Sequence, residues 1–209
     1  MQKELGLFPL NLVAFPGEHL NLHVFEPRYK QLVNDCLELS QSFGIPSYVR
    51  NKIEYGTEVR IIEVTKVYDD GRMDIKTEGV RHFKVVDYHN PWQHRLYAGG
   101  PVEFMQYDDR EDKELKLRMV DLLHELFHWL HMEEQMEVGV ETPICEYIHK
   151  IGLKPDEEYD LLLMQTEEQR QQYVINHLKT ILPALERAEK AREKIRLNGH
   201  FKHFDPLNF

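Results

Sequence analysis

Cysteine is scarce in this chain: Cys36 and Cys145 are the only two in 209 residues, far apart and in no Cys-x-x-Cys. That excludes a disulfide scaffold and a thiolate zinc cluster, and it reads as two reduced thiols of a cytoplasmic protein. Long apolar runs are missing too. No stretch approaches the ~18 residues a membrane helix needs, and the start, MQKELGLFPL, has no n-region followed by a long apolar h-region. Neither membrane insertion nor secretion is expected. Positive charge is in deficit, with 26 Lys and Arg against 36 Asp and Glu, a net charge of −10. Phosphate-backbone binding needs a basic footprint, so no nucleic-acid partner is expected. Signatures of catalysis are few. There is no G-x-x-x-x-G-K-[ST] and no G-x-S-x-G, and Gly99-Gly100-Pro101 reads as a loop rather than a dinucleotide fingerprint.

What is present is a chain able to fold, with 42% hydrophobic and 11% aromatic residues. At this length it can form one large domain or two small ones and bury roughly two thirds of its unfolded surface. Charge and periodicity change together near residue 107. Residues 1–107 carry 12 basic and 14 acidic side chains, and residues 108–209 carry 14 and 22. Thr57 to Val67 alternates, Asp69-Asp70-Gly71-Arg72 is a turn signal, and Met73 to Glu78 alternates again, which predicts a hairpin. Val80–Tyr88 and Leu96–Phe104 are further strand candidates. One helix interrupts them: Pro27 suits its first turn, and Tyr29, Leu32, Val33, Cys36, Leu37 and Leu39 follow at helical spacing.

After residue 107 the period becomes 3.6. Asp109 to about Met132 predicts one long helix, with Leu115, Met119, Leu122, Leu126 and Leu130 as its buried stripe. Thr142-Pro143 opens another that Gly152 stops, and Pro155 starts a short one. Thr166-Glu167-Glu168-Gln169 is a capping box for a run to about Leu197, in which Pro183 predicts a kink or a split. Glu186 to Arg196 alternates acids and bases. It reads as a solvated face with i,i+4 pairs or as a docking helix for another protein. His200 and His203, in Gly199-His200-Phe201-Lys202-His203-Phe204, suggest a tail that docks its aromatics or frays.

Leu7-Phe8-Pro9-Leu10-Asn11-Leu12-Val13-Ala14-Phe15-Pro16-Gly17-Glu18-His19-Leu20, then Leu22-His23-Val24-Phe25-Glu26-Pro27-Arg28-Tyr29, resembles the opening of the Lon protease N-terminal, substrate-binding domain. Phe43-Gly44-Ile45, Tyr55-Gly56-Thr57, Asp70-Gly71-Arg72 and Gly79-Val80-Arg81-His82-Phe83 follow in that family's order, so the resemblance covers roughly residues 5–105. It implies an α+β chain: a PUA-like β-pseudobarrel, here residues 1–107, followed by a C-terminal helical bundle, residues 108–209. It also implies a non-catalytic module that binds polypeptides, with unfolded or damaged ones as the expected clients, or that delivers partners to a protease, without a cofactor. With neither the phosphate loop nor a Ser–Lys pair of Lon in these residues, the expectation is a stand-alone form of the domain. Read residue by residue, Gly71 and Gly79 suit turns or close backbone approach, and Phe8, Phe15, Phe25 and Phe83 suit the core. Glu26 or Arg28 could pair with Arg72 or Arg81. The candidate polypeptide-binding region is Phe25, Glu26, Pro27, Arg28 and Tyr29 with Arg72 and Arg81, expected around a cleft between the modules.

Two other functions fit parts of the sequence. His124-Glu125-Leu126-Phe127-His128 matches H-E-x-x-H, in which two imidazoles one turn apart bind zinc while Glu activates water. His131 would add a third imidazole, and Glu141 or Glu146 a distal ligand, for a zinc-dependent hydrolase. Helix geometry puts these His opposite the predicted buried stripe, on the solvent side, so no metal site is expected. An RNA-binding role rests on the PUA-like fold alone. The acid pairs Asp69-Asp70 and Asp108-Asp109 read as solvated loop charges.

Overall fold

The computed structural model describes residues 2–200, with side chains through Arg196. The docked tail expected around His200 and His203 lies outside the residues whose side chains are described. The chain divides into two compact units, Met1–Asp109 with Pro143–Glu167, and Arg110–Thr142 with Glu168–Phe209. The division expected near residue 107 thus falls differently for 143–167, which returns to the first unit. Among the described residues no helix is long and apolar enough to cross a membrane.

The first unit is built on six strands: β1 (Gln2–Leu7), β2 (His19–Val24), β3 (Phe43–Pro46), β4 (Tyr55–Val67), β5 (Met73–Val85) and β6 (Ala98–Phe104). Their order is β2-β5-β4-β3-β1-β6, and β6 pairs again with β5. That last pairing rolls the sheet into the pseudobarrel. The predicted hairpin is β4–β5, turning at Tyr68–Arg72 with Gly71 at φ 78°. Two predicted strands, Met73–Glu78 and Val80–Tyr88, are one strand here. β5 continues past Gly79 with a shift in register: Val59 pairs with Gly79 and Glu58 with Arg81. The residue left over, Val80, makes a bulge, and a bulge bends its strand.

Helix α1 (Pro27–Leu39) starts at Pro27 as predicted and stops at Ser40, which adopts φ 51°. Its buried residues, Tyr29, Leu32, Val33 and Cys36, join Val24, Phe43, Ile45, Val59, Met73 and Ile75 in one core. Leu37 and Leu39, expected in that stripe, are exposed. Phe8, Phe15 and Phe83 are buried, whereas Phe25 is 59% exposed.

Between residues 143 and 152 the predicted helix is replaced by two 3-10 turns, Ile144–Glu146 and Ile148–Lys150. Thr142 does not cap them; its Oγ1 accepts the Gly139 N–H instead. The segment is held by charge. Nδ1 of His149 lies 2.7 Å from Glu158 Oε1, and its Nε2 lies 3.0 Å from Glu18 Oε1. Glu158 belongs to α3 (Pro155–Leu163), where Arg50 reaches Asp160 at 2.7 Å and covers the Tyr159 ring.

The hydrogen bonds to Glu158 and Glu18 raise the His149 pKa to about 9. The folded state therefore holds a proton that the unfolded chain releases near pH 6.5. Its stabilisation is complete below about pH 6.5 and is lost as the pH rises through about 9. Urea titrations of the wild type should show stability falling over that window, and His149→Gln should flatten the fall. An unchanged slope would remove His149 as its source. The side chain is 35% exposed, so water screens the pair and the effect is modest.

In the second unit, α2 (Lys113–Trp129) begins later than expected because Asp112 is its cap, accepting the Glu114 and Leu115 N–H groups at 2.9 Å. Its buried face is Lys116, Met119, Val120, Leu123, Leu126 and Phe127. This stripe is rotated from the predicted one: Leu130 is exposed and lies past the helix end. Helix α4 (Glu167–His200) is continuous through Pro183. Pro183 is exposed, as is Lys179, whose carbonyl loses a donor there, so water can replace the missing bond.

Candidate functional site

Strand β2 alternates in the way a half-buried strand must: Leu20, Leu22 and Val24 turn toward the core, and His19, Asn21 and His23 toward solvent. It pairs with β5 alone, so among the described residues its outer edge has no strand partner. Such an edge presents unpaired backbone donors and acceptors. On β4, the residues past Val59 likewise pair only with β5. The extended tip of this three-stranded ribbon is where exposed rings and cations gather.

Register explains the gathering. His23 stands opposite Asp74 and Val24 opposite Met73, which places the end of β2 beside the turn Tyr68–Arg72. The Phe25 ring stacks on His23 at 6.0 Å, and His23 meets Tyr68 edge-on at 5.8 Å. Lys66 and Arg72 both lie over the Tyr68 ring, at 4.3 and 5.0 Å. Asp74 takes hydrogen bonds from His23 and from the Tyr68 hydroxyl at 2.8 Å. The His23 bond, then the Tyr68 bond, holds its carboxyl below the usual range. Lys30 of α1 donates to the Asp70 carbonyl at 2.9 Å. Phe25 and Val67, the latter 66% exposed, complete an apolar, aromatic and cationic surface at the ribbon's end.

The residues expected to form one binding region divide among three places. Phe25 and Arg72 belong to this surface. Glu26, Pro27 and Arg28 adjoin it at the start of α1, where Arg28 pairs with Glu26 at 2.7 Å and covers Tyr29. Tyr29 itself is buried, stacked 3.7 Å from Phe8, and burial raises its phenol pKa. Arg81 stands about 25 Å further along β5 by strand rise, pairing with Glu58 at 2.7 Å and covering Phe104. The cross-pairs proposed for Glu26 and Arg28 therefore do not form. Arg72 pairs with Asp70 instead. His23, Lys66 and Tyr68 escaped sequence reasoning, since the β2–β5 and β4–β5 registers bring His23 and Lys66 to the same residue, Asp74. The Asp69–Gly71 turn signal was the available clue, because it fixes which residues flank the tip.

The H-E-x-x-H side chains go separate ways. His124 Nε2 meets the Val138 carbonyl at 2.6 Å, and His128 Nδ1 meets Glu133 at 2.6 Å. His131 is past the end of α2, at φ 55° and 3.9 Å from Glu189. Among the described residues no three His, Cys, Asp or Glu side chains are grouped to hold a metal ion. Burial raises the Cys36 thiol pKa to about 12 and raises that of Cys145 as well, so both are poor nucleophiles at neutral pH. A cavity of about 300 Å³ in the second unit is lined by Glu111, Lys113, Lys116, Leu117, Val140 and Glu141. Its buried Lys116 is already held by Glu111 at 2.7 Å.

The chain is similar to the crystal structure of a Lon N-terminal domain protein from Xanthomonas campestris, with TM-score 0.61 and 26% identity over 83% of this chain and 98% of that one. It shares its fold with the N-terminal domain of the Mycobacterium avium complex Lon protease, with TM-score 0.52 and 14% identity over 88% and 98%. The chain belongs to the ATP-dependent protease La (LON) substrate-binding domain family, whose model matches residues 4–191. That membership supports the role of a protein-binding module.

Proposed function

We propose that this chain is a non-catalytic module of the cytoplasm that binds extended polypeptide segments, of the kind unfolded or damaged proteins expose. The observation that carries the reading is the unpaired outer edge of β2, ending in Phe25 with its ring in solvent. An extended segment would add to β2 as a further strand. Backbone hydrogen bonds supply affinity in such a complex, so many sequences are tolerated. Phe25 and Val67 would receive an apolar side chain at the ribbon's end, and Arg72 and Lys66 an acidic one. The cytoplasm is favoured by two free thiols, Cys36 and Cys145.

The test is fluorescence anisotropy of a dye-labelled, permanently unfolded polypeptide titrated with the tag-free protein. A saturable rise, displaced by unlabelled unfolded chain, is the expected result. Phe25→Ala should weaken binding by about 1–2 kcal/mol, the usual loss for an aromatic anchor, while leaving the thermal midpoint nearly unchanged because the ring is exposed. A flat trace would sink the reading. A time-dependent fall that a chelator abolishes would replace it with the metal hydrolase.

A further inference from the structure

The C-terminal part of α4 carries a second apolar face that no described residue covers. Among the described residues, the last buried one on this helix is Leu182. Beyond it Ala184, Ala188, Ala191 and Ile195 are exposed, Ile195 at 73%. With Ile181 they repeat at intervals of 3, 4, 3 and 4 residues, the spacing of a helix–helix seam. At 100° per residue these five positions span about 80° of the helix surface. Their centre is rotated by about 100° from the mean direction of the buried side chains Arg170, Gln171, Val174, Ile175, Leu178 and Leu182. The stripe is therefore a separate face and not the frayed end of the core.

Charge is sorted about this stripe. Arg187 and Lys194 flank one side, and Arg192 and Arg196 the other, whereas Glu186, Glu189 and Glu193 lie together away from it. Glu189 faces His131, on the side turned toward α2. Arg192 has a loose pair with Glu189 at 3.5 Å, and among the described residues Arg187, Lys194 and Arg196 have no ion-pair partner. Four cations bordering one apolar seam, in a chain of net charge −10, mark this face as locally basic.

The geometry points to this face as the docking site for an amphipathic helix of a partner protein whose apolar stripe is bordered by Glu or Asp. Alanine at three of the five seam positions permits close approach of a second backbone and offers little to a bilayer, where large apolar side chains anchor a helix. A second copy of this chain would set Arg187, Arg192, Lys194 and Arg196 against one another in either orientation, and like charges across a seam disfavour pairing. Acidic flanks on the partner turn the same four cations into attraction.

The test uses the full chain and two fluorescent synthetic helices of three heptads with the same leucine seam, one with Glu at the flanking positions and one with Lys. The Glu-flanked peptide should bind saturably, more weakly as salt is added, and ~tenfold more tightly than the Lys-flanked one. Ala188→Glu with Ala191→Glu should abolish binding. Arg187→Glu with Lys194→Glu and Arg196→Glu should reverse the preference, a gain that misfolding cannot imitate. Phe25→Ala should leave the peptide's binding unchanged, which separates this face from the β2 edge. Equal binding of both peptides, or of neither, would overturn the proposal. So would displacement of the peptide by phosphatidylserine vesicles, or a dimer in light scattering that Ala188→Glu with Ala191→Glu dissolves.

Discussion

Gly79→Ala should cost at least ~3 kcal/mol of stability, a loss in the range of severe overpacking. A Cβ on Gly79 would lie 2.1 Å from the Phe15 carbonyl oxygen and 2.9 Å from its carbon. Both obstacles are backbone, so no rotamer change relieves them. The close approach exists because Gly79 exchanges two hydrogen bonds with the loop before β2: Gly17 N–H donates to the Gly79 carbonyl, and Gly79 N–H to that of Glu18, both at 2.9 Å. Those bonds fix where β2 begins, and hence where its free edge and Phe25 are presented. Gly71 supplies the contrast. Its φ of 78° disfavours a side chain, but a Cβ there meets only the Lys30 Nζ at 3.7 Å. Gly71→Ala should therefore cost only about 1 kcal/mol. Thermal unfolding of both variants checks the pair, and equal losses would show that the Phe15–Pro16 backbone yields to the added methyl.

Gly79 also marks where the sequence can be read and where it cannot. The alternation of Thr57–Val67, the Asp69–Arg72 turn and Pro27 state local preferences, and the hairpin and α1 follow from them. At Gly79 a break in alternation suggests the end of a strand. The strand continues because a bulge at Val80 absorbs the extra residue, a tertiary event with no local signature. β1, β2 and β3 are short or uneven in pattern, and it is the pairing with β4, β5 and β6 that makes them strands. Phe25 misleads for a related reason. Aromatic residues after a strand are usually buried, but Val24 already fills the last inward position of β2, so Phe25 turns outward. The 3-10 turns at 144–150 are another case, since a Thr-Pro helix start is overridden by His149 reaching Glu18 and Glu158. In the candidate site, the exposed apolar group was legible only as part of a motif, and the ring cluster around Tyr68 not at all.

Glu58→Ala should be comparably damaging beside Gly79, since Glu58 of β4 precedes Val59, the partner of that glycine. The carboxylate is 3% exposed and gathers three donors: Lys3 at 2.9 Å and the Ser42 hydroxyl on Oε1, and Arg81 at 2.7 Å on Oε2. Lys3 lies on β1, Ser42 precedes β3 and Arg81 lies on β5, so one side chain of β4 ties three neighbours. Burial pushes the Glu58 pKa up, but the bonds from Ser42, Lys3 and Arg81 together outweigh it and leave it lowered. Removing the acceptor strands these donors, at about 2–4 kcal/mol for a partly buried ionic cluster. Lys3 and Arg81 are nearly half exposed and can be rehydrated, which keeps the loss below that of a fully buried pair. Glu58→Gln should be almost as harmful. Its oxygen can still accept from Ser42, but its amide then faces the Arg81 Nε–H, donor against donor. The pH arm has a definite sign. A lowered folded-state pKa means that the stabilisation is present above the unfolded value near 4.5 and is lost as the pH falls through the folded one. Acid titrations should therefore show the gap between wild type and Glu58→Gln narrowing as the pH falls below about 4.5. A gap that stays constant through acid unfolding would mean that Glu58 acts through shape rather than charge.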